Sequence, residues 1–147
     1  MPRPALRPEL ADARRDGLHN IGEAAELSGV SAKMIRHYES IGLIPAASRT
    51  FANYRLYHDN DLHRLRFIKR ARSLGFSMKQ ISALLSLWND PERSSAEVKR
   101  LARGHIDELV SRIDELQAMR RSLEQLVQHC HGDARPDCPI LDDLATG

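Results

Sequence analysis

The chain has 147 residues, of which 41% are hydrophobic and 29% charged, and its formal net charge at pH 7 is +2. It contains no run of about eighteen apolar residues that would predict a transmembrane helix, and its first residues carry arginines without the apolar stretch of a secretory signal. Its two cysteines are therefore expected to be thiols, and we expect a cytoplasmic protein with no membrane partner.

The N-terminal part of the chain has the pattern of a helix-turn-helix. Residues 1–18 hold three prolines and no sustained period, so we expect a disordered N-terminal extension. Asn20 is suited to cap a first helix, and Gly29 to a left-handed turn just past its end. Ser31 is suited to cap a second helix from Ala32 to about Ile41, which carries positive charge on one side. Two short helices joined in this way predict a helix-turn-helix.

A small β-hairpin, or wing, and two more helices follow. Ser48 to Tyr57 shows the alternation typical of strands, and Asn53 tolerates the left-handed conformation of a tight turn. A third helix is predicted from Asp59 or Asp61 to Leu74, and a fourth from the capping box at Ser77 to Trp88. Residues 19–90 are thus predicted to form a winged helix-turn-helix DNA-binding domain.

Positive charge is concentrated within these elements. Residues 31–72 carry nine Lys and Arg against three Asp and Glu, whereas residues 73–147 carry nine against twelve. A basic segment in a nearly neutral chain is typical of a protein that binds a phosphate backbone. A charged helix face that only meets solvent is the alternative interpretation.

The longest periodic stretch of the chain predicts a helix from Ser95 to Cys130, about 54 Å long. Its apolar residues follow the three/four spacing of a coiled-coil seam: Ile106, Leu109, Ile113, Leu116, Leu123 and Val127. We expect residues 94–130 to be a dimerisation helix that pairs with the same helix of a second subunit, antiparallel or parallel. A stripe that folds back on its own domain is the alternative.

The two cysteines lie where this helix is expected to end. Cys130 and Cys138 bracket a segment with glycine and proline, so residues 130–147 are predicted to form a metal-binding loop and tail. Two soft ligands suffice for one soft, monovalent ion, but they are too few for a structural zinc site. Three alternatives stay open: an unligated pair, a redox disulfide, and a divalent site in which His129 or His131 adds a nitrogen.

Taken together, these motifs resemble the MerR family of transcription regulators. The resemblance rests on the helix-turn-helix, the segment Met34 to Ile44, Asn53-Tyr-Arg55, Gly75-Phe-Ser77 and the long helix. The tail Cys130-x7-Cys138-Pro-Ile, with Asn89-Asp-Pro and Ser95-Ala-x-Val-Lys ahead of it, is similar to the copper-responsive branch, the copper efflux regulators. The match spans roughly residues 20–144.

This resemblance implies a mainly α fold: a winged helix-turn-helix, a long antiparallel coiled-coil dimerisation helix and a short C-terminal metal-binding loop. It implies a homodimer on double-stranded promoter DNA, which distorts the DNA for RNA polymerase when Cu(I), or Ag(I) or Au(I), binds Cys130 and Cys138. The partner's dimerisation helix would begin beside the loop and bring Ser95 near the metal. The divalent-metal branch has a cysteine at this position, so the serine favours a monovalent ion.

The same resemblance implies a set of DNA-contacting side chains. They lie on the second helix, the wing and the third helix: Lys33, Arg36, Tyr38, Arg49, Tyr54, Arg55, Tyr57 and Arg72. For Tyr38, a ring packed in the core is the alternative. We do not expect an enzyme, because the seven histidines are scattered and the sequence contains no Gly-rich phosphate loop.

Overall fold

The computed structural model describes residues 17–50 and 53–147 of the chain. The chain divides into two compact units, Met1–Arg93 and Ser94–Gly147. The predicted N-terminal extension, except for its last two residues, lies outside the described residues.

The described residues form six α-helices and two short strands. The first five helices and the strands follow the predicted order, and the sixth helix lies in the tail, where no helix was predicted. In the first unit these are α1 (Ile21–Ser28), α2 (Ala32–Ser40), β1 (Ser48–Arg49), β2 (Arg55–Leu56), α3 (Asp59–Ser73) and α4 (Met78–Trp88). The second unit has α5 (Ser95–His129) and α6 (Pro139–Thr146). The mainly helical fold is confirmed. Of the two predicted starts of the third helix, Asp59 is the observed one, and the predicted ends of the second, third and long helices lie one residue beyond the observed ends.

The predicted caps account for the helix-turn-helix. The Asn20 side chain accepts a hydrogen bond from the Glu23 amide at 2.8 Å, and Ser31 Oγ accepts one from the Met34 amide at 3.2 Å. Between the two helices, Gly29 has φ +74°, which a glycine adopts without strain. The chain therefore turns sharply between α1 and α2.

The wing is a minimal antiparallel hairpin. Ser48 pairs with Leu56 and Arg49 with Arg55. Asn53 has φ +66° in the turn, as its side chain favours. The hairpin continues into a single bridge between His19 and Tyr57, whose amides donate reciprocal hydrogen bonds of 2.9 and 2.7 Å. The segment before α1 is thus tied to the end of the wing.

One hydrophobic core holds the first unit together. α1 packs against α2 and α3, and α3 packs against α4. The largest fully buried side chains come from the helices, the wing and the loop before it: Tyr38, Tyr57, Ile35, Ile44, Leu56, Leu65, Ile68 and Ile81. The short wing thus contributes to the same core as the helices.

The second unit consists of one long helix and one short one. α5 has 35 residues, about 52 Å at the α-helical rise, and α6 packs back against it. Five residues of the predicted seam are between 52 and 62% exposed: Ile106, Ile113, Leu116, Leu123 and Val127. No helix among the described residues is long and apolar enough to cross a membrane.

The capping box of α4 offers a test of the fold. Ser77 Oγ accepts a hydrogen bond from the Gln80 amide at 3.2 Å, and Gln80 Oε1 accepts one from the Ser77 amide at 2.7 Å. Ser77→Ala is expected to lower the free energy of unfolding by about 1 kcal/mol, because it removes the side-chain hydrogen bond that caps the first turn. Urea unfolding measures this. Ser82→Ala, at an exposed position inside the same helix, is the control and is expected to change stability by less.

Candidate nucleic-acid interface and metal loop

The second helix of the helix-turn-helix has one charged and one buried face. Lys33 and Arg36 are exposed, whereas Ile35 and Tyr38 are buried. The spacing of three between Lys33 and Arg36 places both on the solvent side of α2, where a recognition helix carries its contacts. These two predicted DNA contacts are therefore accessible.

Among the predicted DNA contacts of α2, Tyr38 is the nearly buried one. Its side chain is only 2% exposed, and its hydroxyl accepts a hydrogen bond of 2.8 Å from Arg72 Nη1. The alternative interpretation, a ring in the core, describes it better. The ring packs as an apolar group while its polar tip holds an exposed arginine of α3.

A basic groove lies where the helix-turn-helix meets α3. Its lining includes the turn residues Gly29, Val30 and Ser31 together with Lys69 and Arg72. A side chain in place of Gly29 would meet the Lys69 ammonium, so the lysine lies directly over the turn. The predicted contact set does not include Lys69, although its spacing of three from Arg72 puts the two on one face of α3. Two cations beside the start of α2 form an environment suited to a phosphate.

The wing presents further polar and cationic groups. Tyr54 is 59% exposed, so its ring and hydroxyl are available for contact. Arg49 Nη1 donates to the Asn53 carbonyl at 3.1 Å, which holds this arginine along the turn. Arg55 is half-buried, and its Nε lies 3.3 Å from Glu39 Oε2. Arg49, Tyr54 and Arg55 thus remain accessible, in part or in full.

Tyr57 differs from the other predicted contacts of the wing, because it is buried. Its side chain is completely buried, and its hydroxyl donates to Glu39 Oε2 at 3.0 Å. Burial, and then the hydrogen bond to Glu39, raises the pKa of Tyr57 far above its ordinary value. A side chain in this position stabilises the junction of α2 and the wing.

The two cysteines lie at the two ends of one short loop. Cys130 is the C-terminal cap of α5, and its amide donates to the Leu126 carbonyl at 3.1 Å. Cys138 is the N-terminal cap of α6, followed by Pro139 in the first turn. Both thiols are half-buried, and α6 packs against α5. The fold therefore anchors each cysteine at a helix end.

Between the cysteines, the loop is held by an ion pair. Arg135 Nε lies 2.9 Å from Asp133 Oδ2, and the Arg135 amide donates to Asp133 Oδ1 at 2.9 Å. These hydrogen bonds from Arg135 lower the pKa of the Asp133 carboxyl. Gly132, with φ +66°, lets the chain turn away from α5 just before this pair.

The neighbouring histidines differ in their surroundings. His129 Nδ1 lies 2.6 Å from the Gln125 carbonyl of its own helix, which leaves Nε2 as the ring nitrogen open to a metal. His131 is exposed. Within residues 17–50 and 53–147, no three His, Cys, Asp or Glu side chains are grouped so that they could hold a metal ion.

Comparison with known proteins identifies the family. Residues 20–57 match the family described as MerR family regulatory protein, and residues 62–126 match the one described as MerR, DNA binding. The transcriptional regulator HmrR of Sinorhizobium medicae is 59% identical over 128 residues, which cover 87% of each chain. The chain belongs to the MerR family. Because this family consists of transcription regulators, the expectation that the chain is not an enzyme is confirmed.

Two other proteins illustrate the range of MerR-family relatives. Heavy metal-dependent transcription regulator 2 of Rhizobium meliloti is 58% identical over 128 residues, 87% of each chain. The crystal structure of PbrR691 from Ralstonia metallidurans, in complex with lead(II), has a TM-score of 0.75 and 35% identity. It covers 86% of this chain and 98% of its own. The mainly helical MerR fold is therefore shared with a solved relative.

Because the Tyr57 hydroxyl is buried, the stability of this MerR-family chain is expected to fall as the pH rises through the alkaline range. A raised pKa contributes stability that is complete below the unfolded pKa, about 10, and is lost as the pH rises toward the folded pKa. Tyr57→Phe is expected to cost about 1 kcal/mol at neutral pH and to reduce the loss of stability at high pH. Urea unfolding at pH about 7 and about 11 measures both effects.

Tyr54→Phe, at an exposed tyrosine, is the matched control and is expected to leave the pH dependence as in the wild type. If the stability of Tyr57→Phe falls with pH as steeply as that of the wild type, the buried hydroxyl is not the source of the dependence.

Proposed function

We propose that this protein is a heavy-metal-dependent transcription regulator whose signal is a soft, monovalent ion, Cu(I) or alternatively Ag(I) or Au(I). It binds promoter DNA as a homodimer and activates transcription by distorting the DNA when the ion binds Cys130 and Cys138. The observation that carries the proposal is the placement of these two half-buried thiols at the two ends of one loop between α5 and α6. Two thiolates match the ligand preference of such an ion.

The surroundings of the loop support a two-thiolate site. A monovalent ion with two thiolates leaves one negative charge, which the N-terminal end of a helix can stabilise. Ser94 caps α5 and Ser95 is its first residue. Antiparallel pairing centred near Leu116, the middle of the seam, would bring the start of one α5 close to the end of its partner. Ser95 would then lie near the metal, with a hydroxyl in place of a third soft ligand.

The metal class also draws on the relatives. Heavy metal-dependent transcription regulator 2 is named for its metal response, and PbrR691 was solved with lead(II). Lead is divalent, so likeness to this fold does not select a monovalent ion. The choice of a monovalent ion rests instead on the ligands that this chain offers, because its two cysteines are its only thiols.

The rest of the chain is assigned by the same reasoning. We propose residues 19–90 as the DNA-binding domain, 94–130 as the dimerisation helix and 130–147 as the metal-binding loop and tail. The exposed seam of α5 supports pairing with a second copy, because burying it would remove apolar surface from water. The proposed DNA contacts are the accessible members of the predicted set, and Lys69 is added to them: Lys33, Arg36, Arg49, Tyr54, Arg55, Arg72 and Lys69. RNA polymerase is the proposed partner at the promoter.

The metal assignment is tested by anaerobic titration of the reduced protein with Cu(I) and Zn(II), with in vitro transcription as the readout. The wild type is expected to bind one Cu(I) per chain and to activate transcription. Cys130→Ser and Cys138→Ser are expected to abolish both effects, because each leaves a single soft ligand. His131→Ala, beside Cys130 but outside the proposed ligand set, is the matched control and is expected to respond as the wild type does.

Activation by Zn(II) at a comparable or lower free concentration would contradict the monovalent assignment. Loss of that Zn(II) response in His129→Ala or His131→Ala would then identify a divalent site. Activation of metal-free protein by an oxidant would favour the redox alternative instead.

The DNA contacts are tested with Arg55→Ala. We expect weaker binding to operator and non-operator DNA alike, because a phosphate contact carries no sequence information. The slope of log affinity against log salt is expected to fall by about one. Arg121→Ala, at an exposed arginine of α5, is the control. An unchanged slope in Arg55→Ala would contradict its assignment as a phosphate contact.

A further inference from the structure

Glu39, which sequence reasoning did not select, connects α2 to the wing through a single carboxylate. Oε1 accepts a hydrogen bond from the Ala47 amide at 3.2 Å, just before β1. Oε2 accepts the Tyr57 hydroxyl at 3.0 Å and lies 3.3 Å from Arg55 Nε. The last turn of α2 is thus held to the strand region on both sides of the hairpin.

The Glu39 carboxylate is largely buried, so its contacts must compensate for the water that it loses. The Glu39 side chain is 12% exposed, and removing a carboxylate from water is costly unless charge and hydrogen bonds compensate it. All three of the partners described above come from the wing or the residue before it. Arg55 Nε is itself shielded from water and makes no hydrogen bond of good geometry with the described part of the chain, so the nearby Glu39 carboxylate compensates its charge. Each group therefore offsets the free-energy cost of burying the other.

We propose that Glu39 is a positioning residue for DNA binding: it holds the Arg55 guanidinium at a fixed place relative to α2, so that helix and wing engage the DNA backbone as one rigid surface. This inference rests on the proposed DNA-binding function. Arg55 has five N–H donors, and Nε is the one that lies 3.3 Å from Glu39 Oε2. Its side chain is 30% exposed, which leaves the outer nitrogens for a phosphate.

The sign of the effect separates positioning from simple electrostatics. A carboxylate near a phosphate backbone repels it, so its neutralisation alone would strengthen DNA binding. A positioning role predicts the opposite, because without the carboxylate the flexible arginine side chain must be ordered at the moment of binding. If binding weakens when a negative charge is removed, the change in net charge cannot be the cause, because on its own it would strengthen binding.

The test compares Glu39→Gln with the wild type on a labelled duplex that the wild type has selected from a random-sequence pool. Glutamine keeps the shape and can still accept from the Ala47 amide, but it loses the ion pair with Arg55. We expect binding about tenfold weaker, the size of one lost charge-assisted interaction, and a salt slope reduced by about one. Glu39→Gln combined with Arg55→Ala should bind no more weakly than Arg55→Ala alone, since both remove the same contact.

Two further variants complete the design. Glu26→Gln, at an exposed glutamate of α1, is the control for charge and is expected to bind DNA as tightly as the wild type or slightly more tightly. Arg55→Lys retains the charge but cannot hold a carboxylate and a phosphate with one planar fork. It is expected to bind about as weakly as Glu39→Gln, and it keeps the test decisive if Glu39→Gln does not fold by circular dichroism.

Wild-type affinity in Glu39→Gln or in Arg55→Lys would overturn the positioning role, and so would additive losses in the double variant. If the wild type selects no duplex at all, the proposed function itself fails. If the wild type binds a selected duplex and Glu39→Gln binds it equally well, only the positioning role fails.

Discussion

An amphipathic helix of 35 residues needs something to cover its apolar stripe, and the whole proposed function depends on how α5 meets this requirement. Isolated helices are marginally stable in water, and most of their stability in proteins comes from packing of the apolar face. The stripe from Ile106 to Val127 is largely exposed in the single chain. In the proposed dimer a second copy covers it, which would bring two DNA-binding units together for one promoter and each metal loop close to the partner's helix.

In the DNA-binding unit, buried aromatic and acidic groups hold cations that remain accessible. Tyr38 holds Arg72 through its hydroxyl, and Glu39 holds Arg55. An arginine whose position is fixed before binding loses less conformational freedom on meeting a phosphate. Tyr38 therefore contributes to the proposed interface although its own ring lies in the core.

Much of the fold could be predicted from local signals, because caps and turns depend on neighbouring residues: Ser31 and Ser77 cap helices, and Asn53 adopts the left-handed turn. The site was less accessible to such reasoning. Tyr57 has an apolar ring and a polar tip, and the pattern of a two-residue strand cannot say which of them faces water. Glu39 was missed because its partners are 8 to 18 residues away, beyond the range of helical periodicity.

The pairing of α5 is tested most directly by sedimentation equilibrium of the wild type and of Leu116→Glu, combined with binding to the selected duplex. The account predicts a dimeric wild type, and a monomeric variant that keeps the fold of its DNA-binding unit but loses most of its affinity. A charge in the middle of the stripe would face its own copy across the interface and remain unpaired there. A wild type that is monomeric and still binds promoter DNA tightly would contradict the account.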